Sequence, residues 1–130
     1  MIVIDASAAA SWVLPHEAGL DLTHLIEAGH DFCAPFLFWA EIRNVIITSE
    51  RRGFLLPQAA SRAILAIERL SVTFDTNPSS DDVYRLSKKY GLSIYDGLYV
   101  ELAYRKDAQL CTLDRKLREA AVQERINIIV

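Results

Sequence analysis

Cysteine is scarce in this chain: Cys33 and Cys111 are its two thiols. Two are too few for a disulfide framework, and their spacing does not suit a zinc site. They read as small buried side chains in a reducing cytoplasm. Positive charge is not in excess either. Lys and Arg number 14 against 17 Asp and Glu, a net charge of -3, whereas a protein that holds nucleic acid by charge alone is usually basic. Any nucleic-acid role must therefore rest on a local patch, or on metal ions that reverse the sign of an acidic site. Long apolar runs are also missing. None approaches the ~20 residues of a membrane-spanning helix, so no membrane association is expected. The N-terminus carries no basic leader, and no repeat, linker or low-complexity tract interrupts the chain.

What remains is 130 residues of 52% hydrophobic content, enough for one domain over residues 1–130 with a single core. Met1-Ile-Val-Ile-Asp5 is a short apolar run ending in a carboxylate, the pattern of a strand buried on both faces. Residues 6–14 are alanine-rich and helical, stopped by Pro15. A second helix is expected over 18–28, ended at Gly29, and a strand over 31–34. A long helix spans 36–52, capped by Gly53. Pro57 opens another helix to Leu70, with Ala60, Ala63, Ile64, Ile67 and Leu70 at helical spacing. Val72-Thr-Phe74 suits a strand. Ser79 or Ser80 caps a helix with Asp81 and Asp82 in its first turn, where the helix dipole favours negative charge, and Gly91 ends it. A helix over 93–106, a strand over 109–112, a helix over 114–124 and a strand over 126–130 complete the chain. Strands alternate with helices, so the class is α/β with a mainly parallel sheet.

Acidic residues are seldom fully buried without a partner or a metal. Asp5 directly follows the Ile-Val-Ile run, Asp114 lies just past Leu-Cys-Thr, and Glu41 sits among Leu37, Phe38 and Val45 at helical spacing. Asp5 and Asp114 both follow strands. In an open α/β sheet, ligands bind just beyond those strand ends, where the strand order reverses. Asp107 precedes its strand and belongs to the opposite rim. Each acid has a plainer reading: Asp5 and Asp114 could cap the helices they precede, and Asp96 could answer a helix dipole. Glu41 is the hardest to explain in that way.

Asp5-Ala-Ser7 after the first strand, Glu41 on the long helix, Ser93-Ile-Tyr-Asp96 opening a later helix and Thr112-Leu-Asp114-Arg-Lys-Leu117 together resemble PIN-domain ribonucleases. More specifically, they resemble the VapC-type toxins of bacterial and archaeal toxin–antitoxin pairs. The ordered set spans essentially the whole chain. The resemblance implies a three-layer α/β/α sandwich with strand order 3-2-1-4-5, which sets the first and fourth strands side by side. It also places Cys33 and Cys111 two strands apart, about 9–10 Å, so free thiols are expected. Asp5, Glu41, Asp96 and Asp114 become the catalytic acids, supported by the hydroxyls of Ser7 and Thr112. Glu119 is not assigned.

Such a site of hard oxygen donors selects Mg²⁺ or Mn²⁺ over zinc. Asp5 and Asp96 are the expected direct ligands, and Glu41 and Asp114 would position the ion or its waters. A metal-activated water would then hydrolyse RNA, leaving a 5′-phosphate and a 3′-hydroxyl. Arg115, Lys116 and Arg118 could contact the RNA backbone or simply form a solvated helix face. His16, His24 and His30 lack ligand spacing. The resemblance further implies a homodimer and a cognate antitoxin that fills the active-site groove. The apolar girth of residues 36–47 and the helix over 57–70 would suit either partner or an ordinary core.

Two other classes share features with this chain. A metal-dependent binding module of adhesion type has an Asp-x-Ser-x-Ser loop, but Ala9 stands here in place of the second serine. A phosphoacceptor receiver domain needs an acidic pair after the first strand, where this chain has Asp5-Ala6.

Overall fold

The computed structural model describes residues 1–17 and 19–129. The strands are β1 (Ile2–Ile4), β2 (Phe32–Pro35), β3 (Thr73–Asp75), β4 (Gln109–Cys111) and β5 (Ile128–Ile129). The helices are α1 (Ala6–Val13), α2 (Thr23–Glu27), α3 (Leu37–Arg51), α4 (Pro57–Arg69), α5 (Ser80–Tyr90), α6 (Ile94–Lys106) and α7 (Arg115–Gln123). All strand pairs are parallel, in the order β3-β2-β1-β4-β5.

That order decides the layers. Crossovers between parallel strands are right-handed, and the chain steps from β1 through β2 to β3 before returning across β1 to β4 and β5. The first steps put α1, α3 and α4 together on one face, where they pack on each other, and the return puts α5, α6 and α7 on the other. The direction reverses between β1 and β4, whose register pairs Ile4 with Cys111. At such a reversal an open α/β sheet leaves its ligand crevice beyond the strand ends, and Asp5, directly after β1, sits at that rim.

Burial follows the pattern read from the sequence. Ile2, Val3 and Ile4 are fully buried, as covering layers on both faces require. In α3, Phe38, Ile42 and Ile46 point inward at i, i+4 spacing, while Trp39, Ile47 and Phe36, the residue that caps the helix, stay exposed. Helix α6 is buried continuously from Tyr99 to Ala103, because α5 and α7 flank it and β1, β2 and β4 lie beneath. Its close approach to α5 depends on Gly97, where a Cβ would come within 2.0 Å of Ser87 Oγ. Ser79 accepts from Asp82 N at the start of α5, and Gly91 ends it with φ 63°. Cys33 and Cys111 are buried free thiols, with β1 between their strands.

Two boundaries differ from those read in the sequence. The second helix starts at Thr23, because Leu20 N donates to Ser11 Oγ and Thr23 N to Asp21 Oδ1, so side chains take amides that an earlier helical turn would use. The last strand starts at Ile128: Arg125 holds φ 59°, and Ile126 N still closes α7 through Ala121 O at 2.8 Å. Ala18 and Val130, the expected first residue of that helix and last of that strand, lie outside the described residues.

Candidate active site

Asp5 is the best-determined acid at the crevice. It leaves β1 with its amide bound to Cys111 O of β4 and caps α1 by accepting from Ala8 N at 2.9 Å. Ser7 donates to the same oxygen, Oδ1, at 2.7 Å. Thr112, fully buried, donates to Oδ2 in a short bond. The two hydroxyls also tie the β4 side of the crevice in place, since Ser7 Oγ accepts from Leu113 N and Thr112 Oγ1 from Asp114 N. Ser7 and Thr112 thus fix the Asp5 carboxylate in one orientation and anchor the chain leading to Asp114. That aspartate caps α7 through Leu117 N at 3.0 Å. Helix capping and a place at the rim are not alternatives for Asp5 and Asp114; each does both.

Glu41 reaches the crevice from α3, and Asp96 enters from the first turn of α6, whose cap is Ser93. The acids feel one another. Burial pushes the Asp5 carboxyl above its usual range, and Asp114 adds to the effect despite the three hydrogen bonds. Burial likewise raises Glu41, with the charges of Asp96 and Asp5 contributing. Asp96 is raised by burial and by Asp114, while Lys116 pulls it back. Four carboxylates from four segments therefore share one electrostatic neighbourhood, on the rim where β1 and β4 end. Asp107 instead ends α6 ahead of β4, at the opposite rim.

Tyr99 was not among the residues singled out by sequence. Its hydroxyl, on the buried face of α6, donates to Glu41 Oε1 at 2.5 Å. Burial, followed by that bond and the surrounding carboxylates, holds the phenol far above its usual range, so it stays neutral and donates. The signal available was its place three residues after Asp96, on the same side of the helix. Glu101 was also unremarked, although it is 1% exposed. It is satisfied structurally, pairing with Arg105 at 2.6 Å and accepting from Ser79 N, and Arg105 in turn grips Asp75. A buried acid with its own arginine needs no ion.

Among the flanking cations, Arg115 is tied to Glu119 at 2.8 Å and is largely exposed. Lys116 faces the crevice closely enough to act on Asp96. Arg118 lies half-buried on the far side of α7. His16 stacks on Phe54 with ring centroids 5.0 Å apart, away from the acids.

Oxygen donors alone, three of them with proton affinity raised by burial and then by neighbouring acids, fit a hard divalent cation in kind. As the side chains lie, no three His, Cys, Asp or Glu groups among the described residues converge on one point. This donor set fits an ion that keeps most of its waters and takes one or two carboxylates directly, as Mg²⁺ does.

An open parallel α/β sheet with an acidic crevice at its switch point defines the class of protein. The PIN domain matches residues 2–123, and the chain belongs to that family. Ribonuclease VapC3 of Pyrobaculum aerophilum is 28% identical over 121 residues, covering 91% of this chain and 92% of that protein. Among solved structures, PAE2754 from Pyrobaculum aerophilum is similar with a TM-score of 0.71 and 24% identity, over 92% of this chain and 83% of that one. FitAcB from Neisseria gonorrhoeae is similar with a TM-score of 0.63 and 14% identity, over 100% and 97%. Both share the fold. No helix among the described residues is long and apolar enough to cross a membrane.

Proposed function

We propose that the chain is a Mg²⁺- or Mn²⁺-dependent endoribonuclease, acting as the toxin of a toxin–antitoxin pair. The observation that carries this reading is the gathering of Asp5, Glu41 and Asp96, their proton affinity raised, around the β1/β4 crevice together with Asp114, whose charge adds to the rise at Asp5 and Asp96. Membership of the PIN family and the similarity to Ribonuclease VapC3 support it.

Asp5 and Asp96 would hold the ion, and Glu41 and Asp114 would orient the waters around it. When bound, the ion lowers the pKa of water and neutralises charge building on the scissile phosphate. Ser7 and Thr112 hold Asp5 in a single rotamer, and Tyr99 does the same for Glu41. Lys116 contributes positive charge at the rim, where a phosphodiester would otherwise meet only carboxylates. Arg115 and Arg118 are the further backbone contacts of this reading. Hydrolysis would leave a 5′-phosphate and a 3′-hydroxyl, and no side chain need act as nucleophile.

In this reading the protein works in the cytoplasm as a homodimer restrained by an antitoxin. Trp39 and Ile47 on α3, Leu65 on α4 and Phe36 at the start of α3, all at least 40% exposed, offer apolar area for such a partner. The test is cleavage of an RNA pool with Mg²⁺ or Mn²⁺, alongside Asp5→Ala and Asp96→Asn. The wild type should cut and both variants should not. Equal cutting by the variants, or cutting in excess chelator, would overturn the assignment. A metal-dependent binding module would turn over nothing.

A further inference from the structure

We propose that Ser87, on the buried side of α5, is a positioning residue for Asp96. The inference rests on the nuclease reading above, in which Asp96 holds the ion, and deepens it by naming what fixes that aspartate at the crevice.

Serine is less favourable than alanine in a helix interior, and there its hydroxyl often bonds back to the carbonyl four residues earlier. Ser87 is 4% exposed, yet its hydroxyl leaves α5 and donates to Ser93 O at 3.3 Å. Ser93 is the cap of α6. The same carbonyl accepts from Gly97 N at 2.9 Å, and the Ser93 hydroxyl accepts from Asp96 N at 3.1 Å. The carbonyl of Ser87 holds the other side of the turn, accepting from the Gly91 amide and from Leu92 N at 2.9 Å. Gly97, the residue after Asp96, approaches so closely that a Cβ there would meet Ser87 Oγ at 2.0 Å. One serine thus ties down the turn before α6, the cap of α6 and the residue that follows Asp96. Asp5 is held through its side chain by Ser7 and Thr112, and Glu41 by Tyr99. For Asp96 the hold is on the backbone at either side of it, and it comes from α5.

The test is Mn²⁺ binding by the full chain, followed by electron paramagnetic resonance. Ser87→Ala removes the bond to Ser93 O and should weaken Mn²⁺ binding about fivefold, the worth of one neutral hydrogen bond. Half-maximal cutting of RNA should need correspondingly more Mg²⁺. In the metal-free protein the amides of Asp96 and Gly97 should exchange faster with solvent, while those of the buried residues 100–103 of the same helix keep their wild-type rates. Ile67→Val, a small loss of buried volume in α4, also lowers stability and should leave Mn²⁺ affinity and both amides unchanged. The double variant Ser87→Ala with Gly97→Ala refills the space beside α6 without restoring the bond, so it should bind Mn²⁺ no better than Ser87→Ala. Wild-type Mn²⁺ affinity in Ser87→Ala would overturn the proposal, as would unchanged amides in that variant or an equal loss in Ile67→Val. Recovery of wild-type affinity in the double variant would also overturn it, by making Ser87 a spacer. A wild type that binds no Mn²⁺, with the two amides still loosened in Ser87→Ala, would count against the nuclease reading and leave the hold of Ser87 on Asp96 supported.

Discussion

At the scale of single residues, hydrogen-bond donors organise the acids. Thr112 serves Asp5 and Asp114 N at once, so Thr112→Val leaves the buried Asp5 Oδ2 without its donor and the Asp114 amide without its acceptor. It should cost about 1–3 kcal/mol, read as a lowered denaturant midpoint; an unchanged midpoint would contradict the network. Tyr99→Phe keeps the buried ring and removes the bond to Glu41. A hydrogen bond to a charged group is worth about 1.5–3 kcal/mol of stability, so the melting temperature should fall by a few degrees, and with Glu41 no longer held kcat/KM should fall at least roughly tenfold. Equal kcat/KM would remove Tyr99 from the site.

The raised carboxyls also fix a sign. Asp5, Glu41 and Asp96 bind protons more tightly folded than unfolded. Without an ion, their contribution to stability is therefore lost as pH rises from the ordinary carboxylate range, near 4, through their raised values. Asp96→Asn removes one such group. In chelator its melting temperature should gain on wild type steadily between acid and neutral pH, and a gap that shrinks with pH would reverse the argument.

Among the elements, α6 carries the most consequence, because it brings both Asp96 and Tyr99 to the crevice. Alanine for glycine in a helix interior gains roughly 1 kcal/mol of propensity. At Gly97 the added methyl meets the short, buried Ser87 side chain and Val83 O, and overpacking costs typically about 1–3 kcal/mol. The clash wins, so Gly97→Ala should destabilise the protein and, by shifting the start of α6, lower activity more than stability. A stabilised, fully active variant would show that α5 yields freely.

Much of this was readable in the chain, and the reasons are local. An apolar run that ends in an acid marks β1 and Asp5; Ser79, one of two serines the sequence allows as cap, opens α5; Gly91 stops it. What escaped depends on contacts between distant segments. Tyr99 and Glu41 are 58 residues apart, and only the packing of α6 opposite α3 joins them. The late start of α2 depends on Ser11 capturing an amide nine residues away.

At the scale of the whole molecule, an acidic protein is proposed to act on a polyanion, and two features reconcile this. The carboxylates are concentrated where an ion would reverse their sign, and Lys116 adds positive charge that acts on Asp96. The exposed apolar face of α3 and α4 belongs to the same scale. If it joins two copies, wild type should sediment as a dimer and Trp39→Glu as a monomer, and a monomeric wild type would refute the dimer.

The central claim is that residues 5, 41, 96 and 114 share one cation, and titration with Mn²⁺ followed by electron paramagnetic resonance tests it most directly. Wild type should bind the ion, Asp5→Asn and Asp96→Asn should bind it at least roughly tenfold more weakly, and Asp107→Asn at the opposite rim should match wild type. Equal Mn²⁺ binding in all four proteins would contradict the account.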